Sequence, residues 1–75
     1  MPVDQLVARV LAHQSRADYY GVLGLQRGAA AAAMRKRYLA LALRLHPDQA
    51  RHKDAQKAFT AVHAAFRILF KSARR

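Results

Sequence analysis

The chain contains no cysteine. That excludes a disulfide framework and a thiolate zinc site. Acids are scarce, with four aspartates against 14 lysines and arginines in 75 residues. There is no pair of carboxylates for general acid–base work, no nucleophile with a companion base and no glycine-rich phosphate loop. No enzyme activity and no catalytic residue is therefore assigned. His13, His46, His52 and His63 lack carboxylate-rich companions and zinc-motif spacing, so no metal and no cofactor is assigned. No apolar run approaches the length of a membrane-spanning helix. The N-terminus lacks the charged-then-apolar layout of a signal peptide. The compartment is left unknown, with the cytoplasm as the default expectation.

What the sequence does contain is positive charge on helix-forming residues. The formal net charge of +10 predicts an acidic partner: nucleic acid, an anionic membrane surface or an acidic protein face. Hydrophobic residues make up 53% of the chain, a figure inflated by alanine. A chain of 75 residues allows one small domain with a modest core.

Val3, Leu6, Val7, Val10 and Leu11 fall at helical spacing and predict an amphipathic helix over 3–12, with Pro2 tolerated at its start. Residues 13–17 read as a connector. A short helix follows over 18–25, with Asp18 as its N-cap and Gly24 suited to the left-handed position that ends it. Tyr20 and Leu23 share a face. After a loop with two glycines, a helix opens in the alanine run from Ala29 and extends to Leu45, without a capping side chain or a first-turn acid. Its core face is Met34, Tyr38, Leu41 and Leu45. Arg35, Lys36, Arg37 and Arg44 spread around the remainder, and Leu39 and Leu43 lie on the far side. Residues 49–53 form a basic loop. Asp54 is a candidate N-cap for a last helix whose stripe is Ala55, Ala58, Phe59, Val62, Ala65, Phe66, Leu69 and Phe70. The two long helices are expected to zip Tyr38, Leu41 and Leu45 against Phe59, Val62, Phe66 and Leu69, at about 1.5–3 kcal/mol per large side chain buried.

Between the long helices stands His46-Pro47-Asp48. Pro47 fixes its own φ, lacks an N–H and pushes His46 out of the α region, so the preceding helix must stop there. Asp48 is then a lone acid on a stiff corner surrounded by positive charge.

From Asp18 to about Phe70 the chain resembles the J-domain of DnaJ-type co-chaperones. DYYGVLGL is similar to that family's first helix, RKRYLALALRLHPD to its second helix and signature tripeptide, and AFTAVHAAFRILF to its third, in order and without a gap in spacing. The resemblance implies an all-α fold: a short first helix, an antiparallel second and third helix, and a fourth helix cut short. The chain is then expected to divide into an N-terminal amphipathic helix and connector over 1–17 and a J-domain over 18–75. The resemblance also implies that the chain binds a DnaK-type heat-shock chaperone and stimulates its ATP hydrolysis, with His46, Pro47 and Asp48 as the stimulating corner. Arg35, Lys36, Arg37 and Arg44 then form the docking face. Clients are engaged through regions outside this chain, and the module is expected to be a monomer. Leu39 and Ala40 depart from the family, which usually places two basic residues there.

Two other readings compete. One is a J-like scaffold that folds without stimulating, favoured by Leu39 and Ala40. The other is a basic nucleic-acid-binding helix pair, supported by the charge. Against the latter, base-reading Asn, Ser and Thr are nearly absent, and no specific nucleic acid is expected. For Leu39 and Leu43 three fates are open: simple exposure, cover by the N-terminal helix through Leu6, Val7 and Val10, or contact with another part of a larger protein. His13, His52 and His63 read as surface residues.

Overall fold

A computed structural model describes residues 2–46 and 48–73. Pro47 therefore lies outside the described residues, as do Met1, Arg74 and Arg75. Four helices follow in order: α1 Val3–Ser15, α2 Tyr19–Leu23, α3 Ala31–Leu45 and α4 Ala55–Ala73. The fold is all-α, and no strand occurs among the described residues.

Each helix end has a local cause. α1 runs three residues past the expected end, because its last turn is closed by the backbone rather than opened into a connector. The N–H of Ala17 donates to Gln14 O at 2.9 Å and that of Asp18 to His13 O at 2.9 Å, the paired pattern of a Schellman stop. α2 begins where Asp18 accepts a hydrogen bond from the Gly21 N–H. It ends the same way as α1, with Gly24 at φ 72° and bonds from Gly24 N to Gly21 O and from Leu25 N to Tyr20 O. α3 starts at Ala31 rather than Ala29, since the Ala29 N–H is taken by a turn onto Gln26 O at 3.2 Å. Alanine supplies propensity but no cap, so it does not fix where a helix begins. α4 starts after Asp54, whose carbonyl accepts the Ala58 N–H at 3.0 Å. It continues through Lys71 and Ser72 to Ala73.

α3 and α4 form the antiparallel hairpin, and α2 sits against α4. Leu41, Leu45, Val62 and Leu69 are buried between them, joined by Met34, Val22, Leu23 and a strip of Ala58, Ala61 and Ala65. Small alanines let the helices approach closely, so the aromatic side chains sit at the edges. Tyr20, Tyr38, Phe59 and Phe66 were expected in the core but are half-buried around it. Tyr38 stacks on Phe66 with ring centroids 4.3 Å apart, and Phe66 on Phe70 at 4.9 Å. Such pairs add about 0.5–1.5 kcal/mol beyond burial.

α1 packs into this same core. Val7 and Val10 are among the most deeply buried side chains, with Leu6 beside them. They meet α2 and α4, not the far side of α3. Cover of Leu39 and Leu43 by α1 is thus ruled out, and both stay open, at 55% and 68% exposure. The reason is electrostatic: a helix laid over them would also bury the adjacent Arg35 and Lys36, and unpaired buried charge is costly. The radius of gyration, 11.5 Å, is close to the roughly 11 Å expected for a compact chain of this length. No described helix is long and apolar enough to cross a membrane.

Candidate functional site

The corner at the end of α3 is built by hydrogen bonds onto His46. Its carbonyl accepts the N–H groups of Gln49 at 2.8 Å and Ala50 at 2.9 Å, turning the chain back. Ala50 is buried and pins the returning loop. The His46 ring stands edge-on to Phe59 of α4, with centroids 6.4 Å apart. Its Nδ1 accepts the Asp48 N–H at 3.2 Å, which places the ring proton of a neutral imidazole on Nε2. Nδ1 also lies 3.6 Å from Asp48 Oδ2, too long for a hydrogen bond. The Asp48 carboxylate is accordingly held near the imidazole without being bonded by it, and its side chain is 87% exposed. Nothing in the fold asks for an acid there. The C-terminal end of a helix disfavours negative charge, and Arg44 in the last turn of α3 supplies the favourable sign.

The same device recurs six residues on. His52 Nδ1 accepts the Asp54 N–H at 3.0 Å, and its Nε2 faces Asp4 of α1 at 3.8 Å. The other histidines expected to be plain surface residues also have partners. His13 Nδ1 donates to Asp18 Oδ2 at 2.9 Å, and His63 Nδ1 lies 3.3 Å from the Tyr38 hydroxyl. The Gly21 N–H bond first, and then His13, hold the Asp18 carboxyl below its ordinary range.

Arg35, Lys36 and Arg44 are exposed on α3, and Leu39, Ala40 and Leu43 share that outward face. Arg37 is placed differently. It is half-buried, and its Nε donates to Leu23 O at 3.0 Å. Its first duty is to close the end of α2 rather than to extend the basic face, as the sequence suggested. Arg9 of α1 does the same from the other side, with Nη1 donating to Gly21 O at 2.7 Å. Arg9 was not singled out from the sequence, and His13 was read only as a surface residue. The available signal was an arginine and a histidine four residues apart, bordering the apolar stripe of Leu6 and Val10.

Among the described residues, no group of three or more His or Asp side chains could hold a metal ion. The arrangement is a helical hairpin with the exposed Asp48 carboxylate at its tip, near a positive helix face.

A family model described as the DnaJ domain matches residues 18–75. The chain belongs to the DnaJ domain family, and the module is of the DnaJ co-chaperone type. It is 44% identical over 52 residues to the chaperone protein DnaJ of Rickettsia rickettsii (strain Sheila Smith), and that stretch is 69% of this chain and 14% of the relative. The chaperone protein DnaJ of Rickettsia prowazekii (strain Madrid E) gives the same identity and coverage. That of Rickettsia felis is 42% identical over 52 residues, again 69% of this chain and 14% of the relative. The match thus spans about one seventh of the length of these curated relatives. No solved structure matches the chain.

Proposed function

We propose that this chain is a J-domain module that binds a DnaK-type heat-shock chaperone in its ATP state and stimulates ATP hydrolysis through His46, Pro47 and Asp48. Residues 18–75 carry the activity and residues 1–17 support it. The observation that carries this reading is the Asp48 carboxylate, held by the His46 turn yet left open to a partner. A basic group on the partner's ATPase domain would pair with it. Arg35, Lys36 and Arg44 would meet an acidic surface of the same domain. The chain contributes position and charge, and the partner performs the hydrolysis. Clients would be engaged by regions outside this chain, and the module would act as a monomer.

A single-turnover ATPase assay with a purified DnaK-type chaperone tests the reading. The wild-type chain should accelerate hydrolysis. Asp48→Asn and His46→Gln should each lose about tenfold or more of that stimulation, as expected when one charge-assisted contact is removed. Their helical circular dichroism should be unchanged, since neither side chain is buried. Equal stimulation by all three proteins would overturn the proposal. Leu39 and Ala40 favour a second reading, a J-like scaffold that docks without stimulating. Binding without acceleration in the wild type would be its signature.

A further inference from the structure

We infer that Arg9 and Arg37, with Arg44 at the rim, form a binding site for a phosphate group in the cleft between α1 and α3. The cleft measures about 250 Å³ and is lined by Leu6, Arg9, Arg37, Ala40, Leu41 and Arg44. Three cations surround an apolar floor, and among the described residues no carboxylate lines it. The four acids lie elsewhere: Asp4 faces His52, Asp18 is bonded to His13, Asp48 stands at the corner, and Asp54 precedes α4.

Two arginines converge without an acid between them. The Arg37 Nη2 lies 2.9 Å, and the Arg9 Nη2 3.6 Å, from the point where a Cβ on residue 24 would stand. Each guanidinium is fixed by one inner bond, Arg9 to Gly21 O and Arg37 to Leu23 O. Each has five N–H donors, so most remain for a ligand. Burial first, and then the charge of Arg37, hold the Arg9 guanidinium below its ordinary value, though it remains charged. A lone carboxylate would neutralise only one of the pair. A phosphate carries nearly two charges and three acceptor oxygens, so it can accept from both forks at once. The open side of the cleft leaves room for a substituent on one phosphate oxygen.

The site lies off the Asp48 corner, and its test reads anion binding to the chain alone, without a chaperone. It is tested by titrating the full chain with inorganic phosphate at constant ionic strength and following the Gly21 and Gly24 amide signals by NMR. A saturable shift with a Kd on the order of 1 mM is expected. Arg9→Gln should abolish saturation, and Arg67→Gln, on the far side of α4, should leave it intact. Should Arg9→Gln fold poorly, Arg9→Lys keeps the charge but loses the fork, and should bind at least about fivefold more weakly. Glycerol phosphate in parallel separates an esterified ligand, which it would match by binding more tightly, from the free anion, for which it would bind equally or less. A linear response, an unchanged response in both Arg9 variants, or acetate binding as tightly as phosphate would overturn the assignment.

Discussion

Two helices in this chain end on the same hydrogen-bond pattern, one on an alanine and the other on a glycine. Ala17 closes α1 at φ 55°, and Gly24 closes α2 at φ 72°. A side chain in the left-handed region costs about 1 kcal/mol or slightly more. Ala17→Gly should remove that cost and, after the extra chain entropy of glycine, raise stability by about 0.5 kcal/mol. Gly24→Ala should lower it by about 2 kcal/mol. It adds the backbone cost and also drives a Cβ to 2.9 Å from Arg37 Nη2, displacing the guanidinium bonded to Leu23. Urea denaturation of the two variants should give opposite signs, and a Gly24→Ala loss no larger than the Ala17→Gly gain would show that displacing the Arg37 guanidinium costs nothing. Asp18 offers a pH test. Its folded carboxyl is held below its ordinary range, by the Gly21 N–H first and then by His13. A depressed pKa contributes stability that is present above the unfolded value and lost as pH falls through the folded one. Thermal midpoints followed from about pH 5 to about pH 2 should therefore fall more steeply in the wild type than in Asp18→Asn. The amide still accepts the capping bond in that variant but does not titrate.

At the scale of elements, α1 separates what periodicity reveals from what it hides. The spacing of Leu6, Val7 and Val10 gave the helix and its apolar face. It could not say which neighbour that face would meet, because a stripe carries no address. The structure sends it to α2 and α4, and Leu39 and Leu43 remain open among charges. The caps of α2 were legible because capping is local, with Asp18 and Gly24 doing their work within a few residues. The corner was legible in Pro47 and in its place between two apolar stripes. The roles of Arg9, Arg37 and the histidines were not, since they depend on which helix ends lie opposite them in space. Val10 tests the integration of α1. Val10→Ala removes two methyl groups from a fully buried site and should cost about 2 kcal/mol. The loss should appear in a single unfolding transition seen alike by far-UV circular dichroism and by tyrosine fluorescence, whose reporters Tyr19, Tyr20 and Tyr38 lie on α2 and α3. If α1 were a separate appendage, the tyrosine-reported transition would not move.

For the molecule as a whole, a net charge of +10 on 75 residues acts on stability and on association with opposite signs. The folded chain brings 14 cationic side chains together with only four acids, and the resulting self-repulsion opposes compaction. Added salt screens that repulsion, because the Debye length falls from about 20 Å at about 0.02 M to about 8 Å at physiological ionic strength. Stability should therefore rise as sodium chloride goes from about 0.02 to about 0.2 M. Arg35, Lys36 and Arg44 lie exposed on α3, and the same charge that strains the fold would draw this face toward an acidic partner surface. Screening must then slow the encounter with a DnaK-type chaperone and raise the concentration needed for half-maximal ATPase stimulation, by about tenfold over that range if two or three charge pairs steer it. The two measurements check each other. A protein that merely unfolded in salt would lose both, whereas electrostatic steering predicts a higher denaturation midpoint and a weaker association in the same buffer. Stimulation that is indifferent to salt would locate the docking energy in the apolar Leu39 and Leu43 instead of in the basic residues beside them.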